Sequence, residues 1–153
     1  MKKVYVYLVA LLTVTTAAAQ SAMEKKMEQR AREMHRVIQL NDMAVWKKFV
    51  RENYTEALIN KKMQARVEGD GPGTSSANQP APADPVEAKA QMFKMLHNDF
   101  GDSEIVSIKP NGEKLDMVLK DSGGMKGTFS FKFENTAPYL INGISVEVGD
   151  VQR

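Results

Sequence analysis

The chain has 153 residues, and its 21 basic and 19 acidic residues give a formal net charge of +2. Lys2 and Lys3 account for that excess, so the rest of the chain is neutral, and we expect no nucleic-acid partner because such proteins usually carry a clear basic surplus. The chain contains no cysteine, which excludes both a disulfide framework and a thiol-linked lipid anchor.

The first 19 residues have the organisation of a secretory signal. Lys2 and Lys3 are followed by the apolar run VYVYLVALL and then by the small residues of TTAAAQ, which predicts cleavage after Ala19. The apolar run is too short to span a membrane, since a transmembrane helix needs about twenty such residues. We therefore predict a periplasmic or secreted protein that starts at Gln20 and has no transmembrane segment after signal cleavage.

Three helical segments are predicted before residue 68. Apolar residues at three- and four-residue steps indicate a helix from Ser21 to Leu40, with Ser21 and Glu24 as a capping box. A second helix opens at Asp42, a good N-cap, and should end near Asn53, and a third short segment follows in TEALINKKM. The residues expected to face the core are Met23, Met27, Ala31, Met34, Val37, Ile38, Leu40, Val45, Trp46, Phe49, Val50, Ala57, Leu58 and Met63.

Residues 68–85, EGDGPGTSSANQPAPADP, contain no strongly apolar side chain, so we predict a disordered loop at 68–83. The helices before it span fewer than about fifty residues, too few to bury a stable core without disulfides or a metal. The strands that follow it also need a covering layer. Residues 20–153 are therefore predicted to form a single α+β domain, with the loop as an insertion.

Deleting residues 70–81 should leave the fold and the melting temperature nearly unchanged if the loop is an insertion. The entropy of loop closure changes by only about 0.6 kcal/mol for each doubling of loop length. Thermal unfolding followed by circular dichroism would measure the effect. Loss of cooperative unfolding in the deletion variant would place these residues in the core.

A fourth helix starts at DPVE, where Asp84 is the N-cap, Pro85 suits the first helical position and Glu87 can reach back to the cap. It should stop at Gly101, in the left-handed conformation that often follows a helix. Its inward residues are predicted to be Ala88, Met92, Met95 and Leu96.

Beyond the fourth helix the apolar period changes to two, which predicts four antiparallel strands separated by PNGE, DSGG and ENTAP. A change of phase at Gly143 predicts a β-bulge in the last strand. We expect an α+β fold in which N-terminal helices pack on a curved four-stranded antiparallel meander. The inward strand residues are predicted to be Leu115, Met117, Leu119, Phe129, Phe131, Phe133, Ile144, Val146 and Val148.

Three short patterns carry a resemblance to a known family. They are a helix end FV.EN (Phe49, Val50, Glu52, Asn53), a helix stop FG (Phe100, Gly101) and a last strand P..I.GI.V (Pro138, Ile141, Gly143, Ile144, Val146). Over roughly residues 24–148 the chain resembles a small NTF2-like, cystatin-like cone domain. It looks like the accessory domain found beside bacterial periplasmic serine hydrolases of the beta-lactamase and peptidase type, here standing alone. The resemblance implies a cone that can enclose a pocket between helices and sheet.

Catalytic motifs are missing from the sequence. It contains neither G-x-S-x-G nor S-x-x-K, and no phosphate loop or dinucleotide fingerprint. The residues best suited to reach a cone pocket are the amphipathic Trp46, Tyr54, His97 and Tyr139, although core packing is the favoured role for each.

Two metal-binding hypotheses are weaker than their structural alternatives. The group His97, Asp99, Asp102 and Glu104 fits no metal template, and polar residues gather naturally at a helix end. The helical methionines could bind Cu(I) or form an adaptable protein-binding surface, but their spacing favours core filling. They are Met23, Met27, Met34, Met43, Met63, Met92 and Met95. No metal and no cofactor is predicted.

The sequence favours an exported, non-enzymatic binding or protein-interaction module whose partner is an unidentified protein or envelope component. Its contacts would come from Thr128, Ser130 and Lys132 on the outer face of the sheet, together with the basic first helix. The alternative is a small-ligand carrier or an acid–base enzyme that uses the cone pocket, with Tyr54 and His97 as the polar candidates. Pairing of two copies into a homodimer is compatible with either function.

Overall fold

The computed structural model describes residues 3–61 and 84–149, with side chains from Gln20 onward. The described helices all precede the strands, and the sheet is an antiparallel meander in the order β1-β2-β3-β4. This is the α+β architecture that the sequence predicts, whereas the predicted loop at 68–83 and Met63 lie outside the described residues. The elements are α1 (Lys3–Ile38), α2 (Met43–Asn53), α3 (Glu56–Asn60), α4 (Pro85–Phe100), β1 (Glu104–Asn111), β2 (Lys114–Lys120), β3 (Lys126–Phe133) and β4 (Ile141–Gly149).

Helix α1 is longer than predicted, because it begins at Lys3 and not at Ser21. The residues just before Ser21 include three alanines, the strongest helix formers, so nothing in the chain interrupts the helix there. Ser21 therefore lies within α1, where the capping box predicted with Glu24 has no free helix end to cap. The predicted cleavage point after Ala19 also falls inside this helix. Leu40 lies beyond the helix end and is exposed, not inward as predicted.

The core lies between the helices and one face of the sheet, and residues from both layers form a single buried cluster. The predicted inward positions of β2 and β3 are confirmed, since all six are buried. Strict alternation along these strands places the remaining side chains on the opposite, helix-free side of the sheet. The buried cluster includes Met27, Ala31, Met34, Val37, Ile38, Trp46, Phe49, Val50, Phe93, Phe100, Leu115, Met117, Leu119, Phe129, Phe131 and Phe133.

Side-chain caps fix the starts of α2 and α3. The Asp42 carboxylate accepts hydrogen bonds from the backbone N–H groups of Ala44 and Val45 at 2.8 and 3.3 Å, which confirms the predicted N-cap. Thr55 caps α3 by accepting from the Leu58 N–H at 3.1 Å. Ala57, predicted to face inward, is exposed, because this short helix turns only Leu58 and its neighbour toward the core.

Helix α4 starts as predicted but buries a different face from the predicted one. Asp84 accepts from the Val86 N–H at 2.9 Å with Pro85 in the first turn, whereas Glu87 bonds the Lys47 ammonium at 2.7 Å instead of returning to the cap. The buried residues are Lys89, Ala90, Phe93 and Phe100. Of the predicted residues, Ala88, Met92 and Leu96 are half-buried and Met95 is 61% exposed.

Contacts with α2 explain this orientation of α4. The Phe93 ring lies 6.4 Å from that of Trp46 and 5.6 Å from that of Phe49, so the aromatic residues of α2 select the face that α4 buries. Lys89 is accommodated in the buried face by its ammonium group, which donates to the Lys61 carbonyl at 2.7 Å. Burial lowers the pKa of Lys89, with a smaller contribution from the charge of Lys61.

Gly101 ends α4 for a different reason from the one predicted. Its φ of −64° is right-handed, so the predicted left-handed conformation is wrong. A Cβ atom at this position would lie 2.8 Å from Nδ1 of His97. Glycine therefore leaves room for the imidazole of His97, which hydrogen-bonds the Ile38 carbonyl at 2.9 Å.

Two bulges modify the sheet. In β4, Lys132 pairs with Gly143 and Phe133 with Ile141, so the residue between Ile141 and Gly143 is extra, and the bulge predicted beside Gly143 is confirmed. A second bulge, in β1, leaves Val106 without a pairing partner in β2. A strict period of two does not predict it, because the inward residues Ile105 and Ile108, which pair with Leu119 and Met117, are three positions apart.

Val148 is the inward strand prediction that fails most clearly, since it is 57% exposed. It lies at the open edge of the sheet, and its neighbour on β3 is Gly127, which has no side chain to pack against it. The ring of Phe100 occupies the space above Gly127. Val148 therefore lies outside the buried cluster, while Ile144 and Val146 remain half-buried beside it.

Candidate functional site

Trp46 is a core residue in this structure. Its side chain is 2% exposed, its ring stacks on Phe93, and its indole N–H donates to the Val37 carbonyl at 3.1 Å. That carbonyl belongs to the last turn of α1, where helical carbonyl groups lack partners within the helix. The indole thus fills volume and satisfies a helix end, which leaves it no free polar atom for a ligand.

His97 lies beside Trp46 and has a similar role. The two rings are 6.3 Å apart, and Nδ1 of His97 hydrogen-bonds the Ile38 carbonyl, next to the carbonyl that Trp46 uses. One turn earlier in α1, Nε2 of His35 lies 2.9 Å from the Ser103 carbonyl. Both histidines therefore connect α1 to its neighbours through backbone carbonyl groups.

The two tyrosines of the predicted set lie at the opposite end of α2 from Trp46. Tyr54 follows α2, is buried, and makes an edge contact with Phe49 at 5.9 Å. Burial raises the pKa of the Tyr54 hydroxyl, which therefore stays protonated at neutral pH. Tyr139 lies half-buried in the β3–β4 loop with φ of 57°, and none of the ring contacts in the described chain includes it. The structure thus pairs Trp46 with His97 but does not assemble the four residues around one cavity.

A cleft of about 420 Å³ lies between α1 and α2, with an apolar floor and a charged rim. Its rim charges already have partners. Arg36 lies 2.5 Å from Glu33, and Lys48 lies 3.9 Å from Glu52. The hydrogen bond from Arg36 lowers the pKa of Glu33, which is therefore ionised at neutral pH and unsuited to proton transfer.

Arg30 closes one end of the α1–α2 cleft by connecting three parts of the chain. Its guanidinium group donates to the side-chain oxygen of Asn53, to the Glu52 carbonyl at 3.4 Å and to the Pro138 carbonyl at 2.9 Å. Asn53 in turn donates to the Phe49 carbonyl at 3.0 Å. Two residues of the FV.EN pattern, Glu52 and Asn53, are thus tied to α1 and to the β3–β4 loop, which is a structural role.

A second cleft, of about 380 Å³, lies at the β2–β3 turn and is lined by Asp102, Glu104, Lys120 and residues 121–124. Two of its three acidic residues are used by local structure. Ser122 donates to Asp102, and Asp121 accepts from the Met125 N–H at 2.7 Å. Within residues 3–61 and 84–149, no three histidine or carboxylate side chains come together as metal ligands. The group around His97 proposed from sequence is therefore not assembled.

The outer face of the sheet is the surface opposite the core. In β2 and β3 it consists of Lys114, Asp116, Val118, Lys120, Lys126, Thr128, Ser130 and Lys132. Ser130 donates to Asp116 at 2.6 Å. Four of these eight residues are lysines.

Two pairs of like charges lie directly opposite each other on this face. Lys114 faces Lys132, and Lys120 faces Lys126. Like charges at such positions destabilise a sheet. None of these four lysines belongs to an ion pair within 4 Å in the described part of the chain, although Glu104 of β1 lies opposite Lys120. We call them the lysine pairs. The sequence pointed to Lys132 alone, because the opposition of lysines depends on strand register.

Comparisons with known proteins do not assign the chain to a family. Among the described helices, none is both long and apolar enough to cross a membrane. No family model matches the chain, and neither the curated proteins nor the solved structures contain a significant match to it.

Proposed function

We propose that this protein is an exported binding or interaction module without catalytic activity of its own, and that the outer face of the sheet is its binding surface. The lysine pairs are the observation that carries the proposal. They reduce the stability of the isolated sheet. Neither lysine of the pair Lys114–Lys132 has a carboxylate opposite it in the described sheet, whereas Lys120 has Glu104 opposite it on β1. A partner that places acidic groups against these lysines would relieve that repulsion.

The rest of the outer face suits a polar contact surface. Thr128 and Ser130 lie between the lysine pairs on β3, and their hydroxyl groups can both donate and accept hydrogen bonds. The described helices pack on the other side of the sheet, so none of them covers these residues. The partner would be a protein or another envelope component that bears acidic groups.

The placement of the predicted pocket residues disfavours the alternative of a carrier or acid–base enzyme. Trp46 and His97 are occupied by carbonyl groups of α1, and Tyr54 is buried and protonated. The signal-like first 19 residues support an exported, periplasmic or secreted location. The NTF2-like resemblance remains part of this proposal, since it implies an accessory domain that works beside other proteins.

Charge reversal on the outer face tests the proposal. The variant Lys114→Glu/Lys132→Glu should lose at least about tenfold of its binding to the partner captured from an envelope fraction, because rim charges govern such encounters. The matched control is Lys61→Glu/Lys94→Glu, which places the same charge change on exposed positions after α3 and in α4. Quantitative mass spectrometry of captured proteins would measure binding, and circular dichroism would verify folding.

Two results would overturn the proposal. One is that the parent protein captures nothing above the background of an unrelated protein. The other is that both double variants capture the same partner as strongly as the parent does.

A further inference from the structure

The two edge strands of the sheet differ in how far they are protected from pairing with another strand. β1 contains a bulge at Val106, followed by Lys109 and Pro110, and these are features that discourage edge-to-edge association. In β4 the segment Ile144–Val148 pairs with β3 residue for residue, without a bulge or a proline. Its one charged residue is Glu147.

The described chain covers only the beginning of the β4 edge. The Thr55 N–H donates to the Ile141 carbonyl at 2.9 Å, and Tyr54 forms an isolated bridge with the same residue. Among the described residues, no backbone hydrogen bond reaches the outer edge beyond Gly143. Half of the peptide groups of an edge strand point away from the sheet, so within the described residues this segment keeps unpaired donors and acceptors.

We propose that Ile144–Val148 pairs in antiparallel orientation with the same segment of a second copy, which joins the two sheets into one. The pairing is symmetric about Val146. It places Ile144 opposite Val148 of the partner subunit and Ser145 opposite Glu147 of the partner subunit. Because side chains opposite each other share a face of the sheet, the apolar residues extend the inner face and the polar residues extend the outer face.

The sequence of the segment selects a second copy of this chain as the occupant. In the register centred on Val146, apolar residues meet apolar residues, and the carboxylate of Glu147 meets a hydroxyl group. A register centred on Glu147 would instead oppose two carboxylates, which is unfavourable. The pairing also brings an apolar neighbour to Val148, which is 57% exposed in the single chain.

The interface is short, so the dimer should be weak and should dissociate on dilution. It uses the edge of the sheet and leaves the lysine pairs on β2 and β3 accessible. The dimer and the proposed binding surface can therefore fail independently of each other.

Sedimentation velocity over a range of protein concentrations tests the dimer. The purified protein should show a reversible monomer–dimer equilibrium. Val148→Lys should raise the dissociation constant by about tenfold or more, because the symmetric interface then contains two lysines, each opposite Ile144 of the partner subunit. Val106→Lys is the matched control, because Val106 is 51% exposed on the opposite edge strand. It should leave the dissociation constant unchanged.

Substitutions at Ser145 test the proposed register, because lysine and glutamate at this position should change the dissociation constant in opposite directions. Ser145→Lys should lower the dissociation constant by about three- to tenfold because the lysine would face Glu147 of the partner subunit, and Ser145→Glu should raise it by a similar factor. Within one copy, position 145 pairs with Ser130 and lies between Lys132 on the diagonal and Glu147 two residues along the same face, so the intrachain effects of a charge there oppose each other. A protein that stays monomeric up to millimolar concentration, equal effects of Val106→Lys and Val148→Lys, or Ser145 variants that shift the equilibrium in the same direction would overturn the proposal.

Discussion

Replacing Trp46 with alanine should reduce the free energy of unfolding by about 3–5 kcal/mol, which is the usual range for removing a large buried aromatic ring. The substitution leaves a cavity between α1, α2 and α4, where Trp46 contacts Phe93 and His97. It also leaves the Val37 carbonyl without the indole donor. Domains of this size have total stabilities of about 5–15 kcal/mol, so the variant should be only marginally folded.

Phenylalanine at position 46 is the matched comparison for this prediction. It retains most of the ring but removes the indole hydrogen bond to Val37, whose carbonyl still accepts from the Leu40 N–H at 3.2 Å. A loss of about 0.5–1.5 kcal/mol is therefore expected from the missing hydrogen bond. Urea denaturation followed by far-UV circular dichroism would measure both variants, since Trp46 is the one tryptophan and its fluorescence is lost with it. A loss below about 1 kcal/mol for Trp46→Ala would show that Trp46 is not a core residue, and would restore it as a candidate binding residue.

The parts of the fold that the sequence predicts well depend on short-range patterns. Alternation places Phe129 and Phe131 on one face whatever the sheet packs against, because the period of a strand is two. The caps at Asp42 and Asp84 likewise require only the first turn of their own helices. Such features are set within a few residues of each other, and the structure confirms them.

The failed predictions concern features that distant contacts decide. The sequence of α4 offers two apolar faces, one with Ala88 and Met92 and another with Ala90 and Phe93. Contacts with α2 decide that the second face is buried. The need for glycine at position 101 comes from the His97 ring, whose position depends on its hydrogen bond to Ile38 of α1. A single helix does not contain the information that chooses between such alternatives.

The candidate binding surface was only partly predictable for the same reason. Alternation along β3 identified Thr128, Ser130 and Lys132 as facing outward. The opposition of Lys114 to Lys132 requires the register between β2 and β3, which the intervening turn fixes and the sequence does not state. The surface charge pattern therefore emerges only when the strands are paired.

Gly127 provides the second large expected effect, because it is the position in β3 where Phe100 packs directly on the backbone. A Cβ atom at Gly127 would lie 2.4 Å from Cζ and 2.8 Å from Cε1 of Phe100, far closer than a van der Waals contact. Phe100 is fully buried, and its ring also contacts that of Phe129 at 5.4 Å, so it has no open space to enter. Gly127→Ala should therefore reduce the free energy of unfolding by about 1–3 kcal/mol, as overpacking does in other cores.

A double-mutant cycle separates this contact from a general effect of alanine in a strand. Gly127→Ala should cost much less in a Phe100→Leu background, where the smaller side chain leaves space for the added methyl group. Gly143→Ala is the control within a strand, since in β4 its nearest neighbour would be Cβ of Lys132 at 3.4 Å, an ordinary contact. Urea denaturation of the four members of the cycle measures the coupling energy. If Gly127→Ala cost the same free energy with Phe100 and with Leu at position 100, the close approach of the Phe100 ring would not be the reason for glycine in β3.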